Sequence, residues 1–208
     1  MNNLINTISG DSLELLKDLI GKRIISIKRE TFHHDDPSVF QRIGIITESG
    51  VYCLDNQVSW FENYYAGPEC LPHMTFAKFQ CENQLEENMG LEDFRAFPVD
   101  EKATNILLIN DCLDVRKNNV HFQEWDSTEG VIIVTATRQY AFYKANTCWD
   151  ESVLVYQGHD VLSKLVPLER HWSDTFGPEF EANATRNLVS LANGTSRIIE
   201  KTKIKGEE

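Results

Sequence analysis

The chain has 208 residues, of which 41% are hydrophobic, so it can bury a core of its own without disulfides or a structural metal. Its 32 Asp and Glu residues outnumber 20 Lys and Arg residues, which gives a net charge of −12. This charge disfavours direct binding to nucleic acid or to an anionic membrane, and it favours attraction of a basic partner.

The N-terminal stretch "MNNLINTISGDSLELL" lacks the basic start and the continuous apolar run of a secretory signal. The chain also contains no run of about 18 apolar residues that could cross a membrane. Its five cysteines form an odd set without a dense framework spacing. We therefore expect a cytoplasmic protein whose thiols are reduced.

The first predicted element is a helix that begins near Asp11. Asp11 can act as the N-cap, and Glu14 three residues later completes a capping box. Gly21 is placed to end the helix. The apolar residues between these signals recur at helical spacing, at Leu13, Leu16, Leu19 and Ile20.

Alternating and β-branched stretches predict a series of strands after this helix. The segment "RIISIKRE" forms the first strand, and Glu48-Ser49-Gly50 forms the turn of a hairpin. We expect a second turn at 127–130, between two strands of a similar hairpin. The remaining strands are predicted at 105–110, 120–125, 131–135, 140–144 and 153–157.

A second helix is predicted near the C-terminus. Pro178 suits its first turn, and Gly194 follows its end. The apolar residues at helical spacing are Phe180, Ala184, Leu188, Leu191 and Ala192. The segment "SRIIEKTKI" then predicts a final strand.

These elements indicate an α+β fold with mostly antiparallel sheet and a helix near each end. We expect a single domain, 1–208, in which an irregular acidic segment, 67–98, joins possible halves 1–66 and 99–208. The similar phrases "TESGV" and "TEGV" suggest a weak duplication of a hairpin unit, 21–56 against 105–144. The alternative is that hairpins commonly use such turns.

The segment "ETFHHDDPSVF" carries the densest group of chemically capable side chains, which are His33, His34, Asp35 and Asp36. Imidazoles and carboxylates bind zinc, iron or manganese. Because neighbours in an extended segment point to opposite faces, further ligands must come from elsewhere, such as His121, His159 or Glu48. The alternative is a polar loop, since Asp36 precedes Pro37 and this dipeptide favours a turn.

Two cysteine-based sites are weaker alternatives. Cys70, His73 and Cys81, with Cys53 as a fourth ligand, have the ligand types of a zinc site but not the usual paired spacing. Cys148 with His159 has the residue types of a thiol–imidazole pair. The chain contains no phosphate-binding loop, no dinucleotide-binding fingerprint and no serine-hydrolase elbow.

The segment "VSWFENYYAG" groups four aromatic residues, Trp60, Phe61, Tyr64 and Tyr65. At helical spacing Trp60 would stack on Tyr64, and Phe61 on Tyr65. Large aromatic side chains dominate many protein–protein interfaces, so this cluster is a candidate partner-binding patch. Core packing is the alternative.

From these features we expect a non-enzymatic cytoplasmic interaction protein, of bacterial type, that binds a basic protein partner and needs no cofactor. A toxin-neutralising immunity protein is its most concrete form, because acidic complementarity speeds association. The alternatives are a metal-dependent enzyme that uses the His33–Asp36 cluster with a divalent transition metal, and a small-ligand-binding domain. The oligomeric state does not follow from the sequence.

Overall fold

The fold is described from a computed structural model that covers residues 3–30, 39–40, 42–63, 67–89, 94–145, 152–172 and 175–206. For residues 30, 39–40, 58–63, 67–71, 86–89 and 94–95 the backbone alone is described. None of the helices in these ranges is both long and apolar enough to cross a membrane.

The larger sheet, sheet A, contains eight strands in the order β13-β12-β8-β9-β10-β11-β3, with β1 paired to β9. All of its pairings are antiparallel except that of β1, which runs parallel to β9. Its strands are β1 (Asn3–Asn6), β3 (Val39–Phe40), β8 (Asn105–Lys117), β9 (Val120–Val134), β10 (Gln139–Lys144), β11 (Val153–Gly158), β12 (Phe180–Ser190) and β13 (Ser196–Lys205).

The smaller sheet, sheet B, contains five antiparallel strands in the order β6-β5-β4-β2-β7. Its strands are β2 (Arg23–Glu30), β4 (Arg42–Thr47), β5 (Gly50–Asn63), β6 (Gly67–Phe79) and β7 (Phe94–Lys102). The helices are α1 (Gly10–Asp18), α2 (Glu82–Met89) and α3 (Leu168–Trp172), with a 3-10 turn at Leu162–Lys164.

The main core lies between the two sheets. One hydrophobic cluster takes Ile27 and Ile45 from sheet B, Ile106 and Ile133 from sheet A, and Leu16 from α1. On β8 the buried positions largely alternate, whereas residues 43–47 of β4 and 127–133 of β9 are buried on both faces. Both sheets therefore contribute to one shared core, as in a sandwich of two packed layers.

The outer face of each sheet carries a second apolar layer. On sheet B, Leu85 of α2 packs with Ile46 and Val51. On sheet A, the connection between β11 and β12 covers two clusters, one around Leu113 and Trp172 and the other around Ile109, Tyr143 and Val161. This cover on sheet A buries large side chains, among them Leu168, Trp172 and Phe176.

The structure confirms the predicted mostly antiparallel sheet. Thr47 pairs with Gly50 across the two-residue turn Glu48-Ser49, so the first hairpin is confirmed. The capping role predicted for Asp11 is wrong, because Ser9 occupies the N-cap position and Asp11 lies inside the first turn of α1. The four-residue strand β1, which precedes α1, was not predicted.

The predicted C-terminal helix is wrong, because the segment forms strand β12. Phe180, Ala184 and Leu188 are four residues apart, and this spacing fits one face of a helix and one face of a strand equally well. The intermediate residues Ala182 and Arg186 are buried on the same face, which only a period of two explains.

The second predicted turn, at 127–130, is also wrong. These residues lie inside β9, which runs without a break from Val120 to Val134. The register between β8 and β9 shifts at this point, since Ile109 pairs with Gly130 and Asn110 pairs with Thr128, leaving Glu129 as the extra residue of a bulge. The two phrases behind the proposed duplication therefore occupy a turn in one case and a strand interior in the other.

The segment 67–98, predicted to be irregular, contains β6, α2 and the first part of β7. Within α2, Leu85 is fully buried and anchors the helix to sheet B. The prediction of a single domain, 1–208, stays a prediction.

Gly130 allows β10 to lie close to β9 beside the bulge. A Cβ atom at this position would lie 2.8 Å from the carbonyl oxygen of Phe142 and 3.0 Å from side-chain atoms of Ile109 and Tyr143. We expect Gly130→Ala to lower the free energy of unfolding by about 1–3 kcal/mol, measured by urea denaturation. Gly177→Ala is the control, because its Cβ would meet only the flexible side chain of Glu179. An equal loss in both variants would contradict this explanation.

Candidate functional site

The metal-binding prediction falls on His33, His34, Asp35 and Asp36, which lie outside the described residues, as do Tyr64, Tyr65 and Cys148. Trp60 and Phe61 lie on β5, so the helical spacing assumed for the aromatic cluster is wrong at these two positions. The metal site and the aromatic patch therefore stay predictions.

The candidate ligands whose side chains the structure describes, a set that excludes Cys70, do not come together. Cys53 is buried on the outer side of sheet B beside α2, Cys81 is exposed, and His73 contacts Asn6 of β1 through a 2.5 Å hydrogen bond at Nδ1. Burial lowers the pKa of His73, and the charge of Lys144 lowers it further. Among the described residues, no group of three or more His, Cys, Asp and Glu side chains is placed to hold a metal ion.

The structure instead brings together a buried ionic network, which consists of Asp111, Glu129, Lys144, His171 and Arg186. One half is the pair of Arg186 and Asp111. The Arg186 Nε and Nη2 atoms each donate to a carboxylate oxygen of Asp111 at 2.7 Å, which is the bidentate geometry of a strong ion pair. Both side chains are at most 1% exposed.

Further hydrogen bonds connect this pair to its surroundings. Arg186 donates to the Tyr143 hydroxyl and to the Val166 carbonyl at 2.8 Å, and Trp172 Nε1 donates to Asp111 at 2.8 Å. Burial opposes the charge of Arg186, but the hydrogen bonds and the charge of Asp111 raise its pKa. The pair thus fastens α3 and the segment before it to the middle of sheet A.

The second half of the network is centred on Glu129, the bulged residue of β9. Its Oε1 lies 3.3 Å from Lys144 Nζ, and its Oε2 lies 2.9 Å from His171 Nε2. Burial alone would raise the pKa of the Glu129 carboxyl, but Lys144 and His171 outweigh burial and hold the pKa well below its usual value. Glu129 is therefore an ionised carboxylate inside the protein.

The position of Glu129 follows from the way β9 changes partner. Residues 124–127 of β9 pair with β1, and residues 130–134 pair with β10. Neither partner pairs with Thr128 or Glu129, so the bulge leaves room for a side chain that reaches both Lys144 on β10 and His171 on α3.

This network has the residue types of an acid–base site, but its geometry is closed. The Glu129, Lys144, His171, Arg186 and Asp111 side chains are all 0–1% exposed. Their charges are satisfied by one another and by Ser127, Tyr143 and Trp172. The arrangement therefore holds α3, β10 and β12 together, which is a structural role.

A second group of polar side chains, which is accessible to solvent, lies on the opposite face of sheet A. Along β8, Ile106 and Leu108 face sheet B, and the same alternation brings Cys112 and Asp114 to that side further along the strand. We call this uncovered area the open face, and it consists of Cys112, Asp114, Glu124, Asp126, Asn183 and Thr185. A shallow cavity of about 280 Å³ lies on it.

The open face is acidic. Asp114 binds Arg116 at 3.0 Å and His121 at 2.8 Å. Burial works against ionisation of Asp114, but the hydrogen bonds from His121, Asn183 and Arg116 lower its pKa. Glu124 and Asp126 form no ion pair with any part of the chain that the structure describes.

Cys112 lies at the centre of the open face but is a poor nucleophile. Burial raises the pKa of its thiol to about 12, and the neighbouring Asp126 carboxyl contributes to this shift. The thiol therefore stays protonated at neutral pH and lacks the thiolate form that attacks electrophiles or binds metals. Asn187 donates a hydrogen bond to its sulfur at 3.4 Å.

Comparison of the chain with protein-family models, with curated proteins and with solved structures finds no match.

Sequence reasoning missed both the network and the open face. The sequence of β12 does contain one indication of the network. Arg186 stands at a position that the alternation of the strand buries, between Ala184 and Leu188. The open face has no local signal, because Asp114 and Glu124 become neighbours only through the register of β8 and β9.

Proposed function

We propose that this protein is a non-enzymatic interaction protein that binds a basic protein through the open face of sheet A. The observation that carries the proposal is the pair of carboxylates Glu124 and Asp126, which lie on an uncovered sheet face without a cationic partner in the described chain. Acidic side chains of this kind gain most when a partner supplies the opposite charge.

The surroundings of these carboxylates suit a protein partner. Ile5 of β1 pairs with Asp126 and is 62% exposed, which places an apolar side chain next to the acidic group. Asn183 and Thr185 offer hydrogen-bonding groups on the neighbouring strand β12. A mixture of apolar contact, hydrogen bonds and complementary charge is typical of transient protein–protein interfaces.

The chemistry of the described residues favours binding over catalysis. The acid–base residues of the network are closed to solvent, and the thiol on the open face is protonated at neutral pH. The net charge of −12 supplies a long-range field that steers a basic partner towards the molecule.

The most specific form of the proposal is a cytoplasmic immunity protein that neutralises a basic toxin in a bacterial cell. Such a role requires rapid association, which a negative surface provides, and slow dissociation, which buried contacts provide. The aromatic residues Trp60, Phe61, Tyr64 and Tyr65 remain predicted anchors for such contacts.

A charge-reversal experiment tests this proposal. The tagged protein and its Glu124→Lys/Asp126→Lys variant are used to capture partners from cells of the source organism, and affinity for the captured protein is measured at rising salt concentration. We expect a basic partner whose affinity falls with salt and drops at least tenfold in the variant.

The matched control is Glu14→Lys/Glu48→Lys, which changes the net charge equally at exposed sites on α1 and in the β4–β5 turn. The control should bind almost as well as the wild type. Capture of no basic partner, binding that does not respond to salt, or equal losses in both variants would contradict the proposal.

A further inference from the structure

Strand β13 leaves one edge of sheet A unoccupied. Among the described residues β13 pairs with β12 alone, and it stands at the end of the strand order. In an antiparallel edge strand, every second residue directs its backbone N–H and C=O groups away from its neighbour. These outward groups can pair with another extended chain.

A groove runs beside this edge. On one side it is lined by residues 203–206 at the end of β13, and on the other side by Pro167, Glu169 and Arg170 at the start of α3. We call it the edge groove, and its volume of about 620 Å³ lies within the range of about 300–1,000 Å³ found for ligand sites.

The shape of the edge groove follows from how α3 is attached. The Leu168 backbone N–H donates to Glu200 Oε1 at 2.8 Å, which fixes the first residue of α3 against the middle of β13. At the far end, the backbone of Gly206 lies so close to Gly177 that a Cβ atom on Gly206 would stand 1.9 Å from the Gly177 carbonyl oxygen. The groove therefore lies between these two contacts of the chain with itself.

The edge groove is basic, although the protein is acidic. Lys203, Lys205 and Arg170 line it, and Glu169 is the one carboxylate in this lining. Lys203 also forms a 2.6 Å ion pair with Glu181, and its side chain remains 50% exposed. An anionic ligand therefore fits the groove better than a cationic or neutral one.

From the free strand edge and the charge of its lining, we propose that the edge groove binds an extended acidic peptide, which adds to sheet A as a strand next to β13. Backbone hydrogen bonds to β13 supply affinity in this mode, and side-chain contacts supply selectivity. The site spans residues 203–206, so about 13 Å of extended peptide fits at about 3.3 Å per residue.

A second copy of the chain is a poorer occupant of the same edge. Antiparallel pairing of two β13 strands would place the lysine-rich segments of both copies, which contain Lys201, Lys203 and Lys205, against one another. Like charges that face each other across a strand pair destabilise the pairing. Charge thus disfavours self-association and favours an acidic peptide.

The binding mode can be tested with three fluorescein-labelled hexapeptides in fluorescence anisotropy titrations. One alternates valine and glutamate, the second is the same peptide with every second amide N-methylated, and the third alternates valine and lysine. We expect saturable binding of the first peptide, at least tenfold weaker binding of the second, and no binding of the third. N-methylation keeps the charge but blocks the strand hydrogen bonds.

A variant locates the site. Lys203→Glu/Lys205→Glu should weaken binding of the acidic peptide at least tenfold, whereas the control Lys17→Glu/Lys102→Glu should change it less than twofold. Circular dichroism melting checks that both variants fold, and the N-methyl comparison needs only the wild type.

Three outcomes would overturn the proposal. Equal binding of the N-methylated peptide would show simple charge attraction, and absence of binding would show that the lysines only protect a bare edge. Dimerisation of the wild type at the titration concentrations, seen by sedimentation, would show that a second copy occupies β13.

Peptide binding that survives in Glu124→Lys/Asp126→Lys would show that this site is independent of the open face.

Discussion

Replacement of Arg186 by Met is expected to lower the free energy of unfolding by about 3–5 kcal/mol, because the Asp111 carboxylate is then buried without a counterion. Asp111 is 0% exposed and would keep only the indole N–H of Trp172 as a donor. Tyr143 and the carbonyl of Val166 would also lose their hydrogen-bond donor. Urea denaturation followed by tryptophan fluorescence measures this change.

A double-mutant cycle measures the coupling energy between Asp111 and Arg186. Asp111→Leu/Arg186→Met removes both charges, so the double variant should be more stable than the sum of the two single changes predicts, by at least about 2 kcal/mol. The control is Arg116→Met, which breaks the exposed pair with Asp114 and should cost less than about 1 kcal/mol. Additive single effects would contradict the assignment of a coupled buried pair.

The second large effect is expected at Glu129. Glu129→Gln removes the carboxylate that contacts Lys144 and His171, whose side chains are both 1% exposed, and we expect a loss of about 3–5 kcal/mol at pH 7. The same urea experiment measures it. Glu48→Gln in the exposed turn between β4 and β5 is the matched control and should change stability by less than about 0.5 kcal/mol.

The pH dependence gives an independent test of the same group. The folded-state pKa of Glu129 lies below its unfolded value, so its contribution is complete above the unfolded pKa and is lost as the pH falls towards the folded pKa. The stability difference between the wild type and Glu129→Gln should therefore shrink between pH 5 and pH 3, by up to about 1.4 kcal/mol per pH unit. A difference that stays constant over this range would contradict the assignment.

The fold could be predicted from sequence where local pattern decides it. The β4–β5 hairpin and the strands β10 and β11 follow from apolar, β-branched and turn residues, whereas the sequence predicts two strands in place of β9. The prediction of a C-terminal helix is wrong because the spacing of Phe180, Ala184 and Leu188 fits both a helix and a strand. The burial of Ala182, which distinguishes the two, is visible only in the folded sheet. The prediction of a turn at 127–130 is wrong because Gly130 does not reverse the chain there. It allows β10 to pack closely against β9.

The candidate site depended still more on tertiary structure. Asp111 and Arg186 are 75 positions apart, and Glu129 and His171 are 42 positions apart, so no local pattern relates them. The acidic residues of the open face are scattered through β8 and β9 in the sequence, and the strand register collects them. Net charge indicated an acidic surface, but it could not indicate which carboxylates share one face.

Carboxyl footprinting tests the central claim most directly. A carbodiimide labels exposed Asp and Glu side chains in the protein alone and in its complex with the captured basic partner, and mass spectrometry reports the labelling of each residue. We predict that Glu124 and Asp126 lose most of their labelling in the complex, while Glu14 and Glu48 keep theirs. Unchanged labelling of Glu124 and Asp126 in a saturated complex would contradict the assignment of the open face as the binding surface.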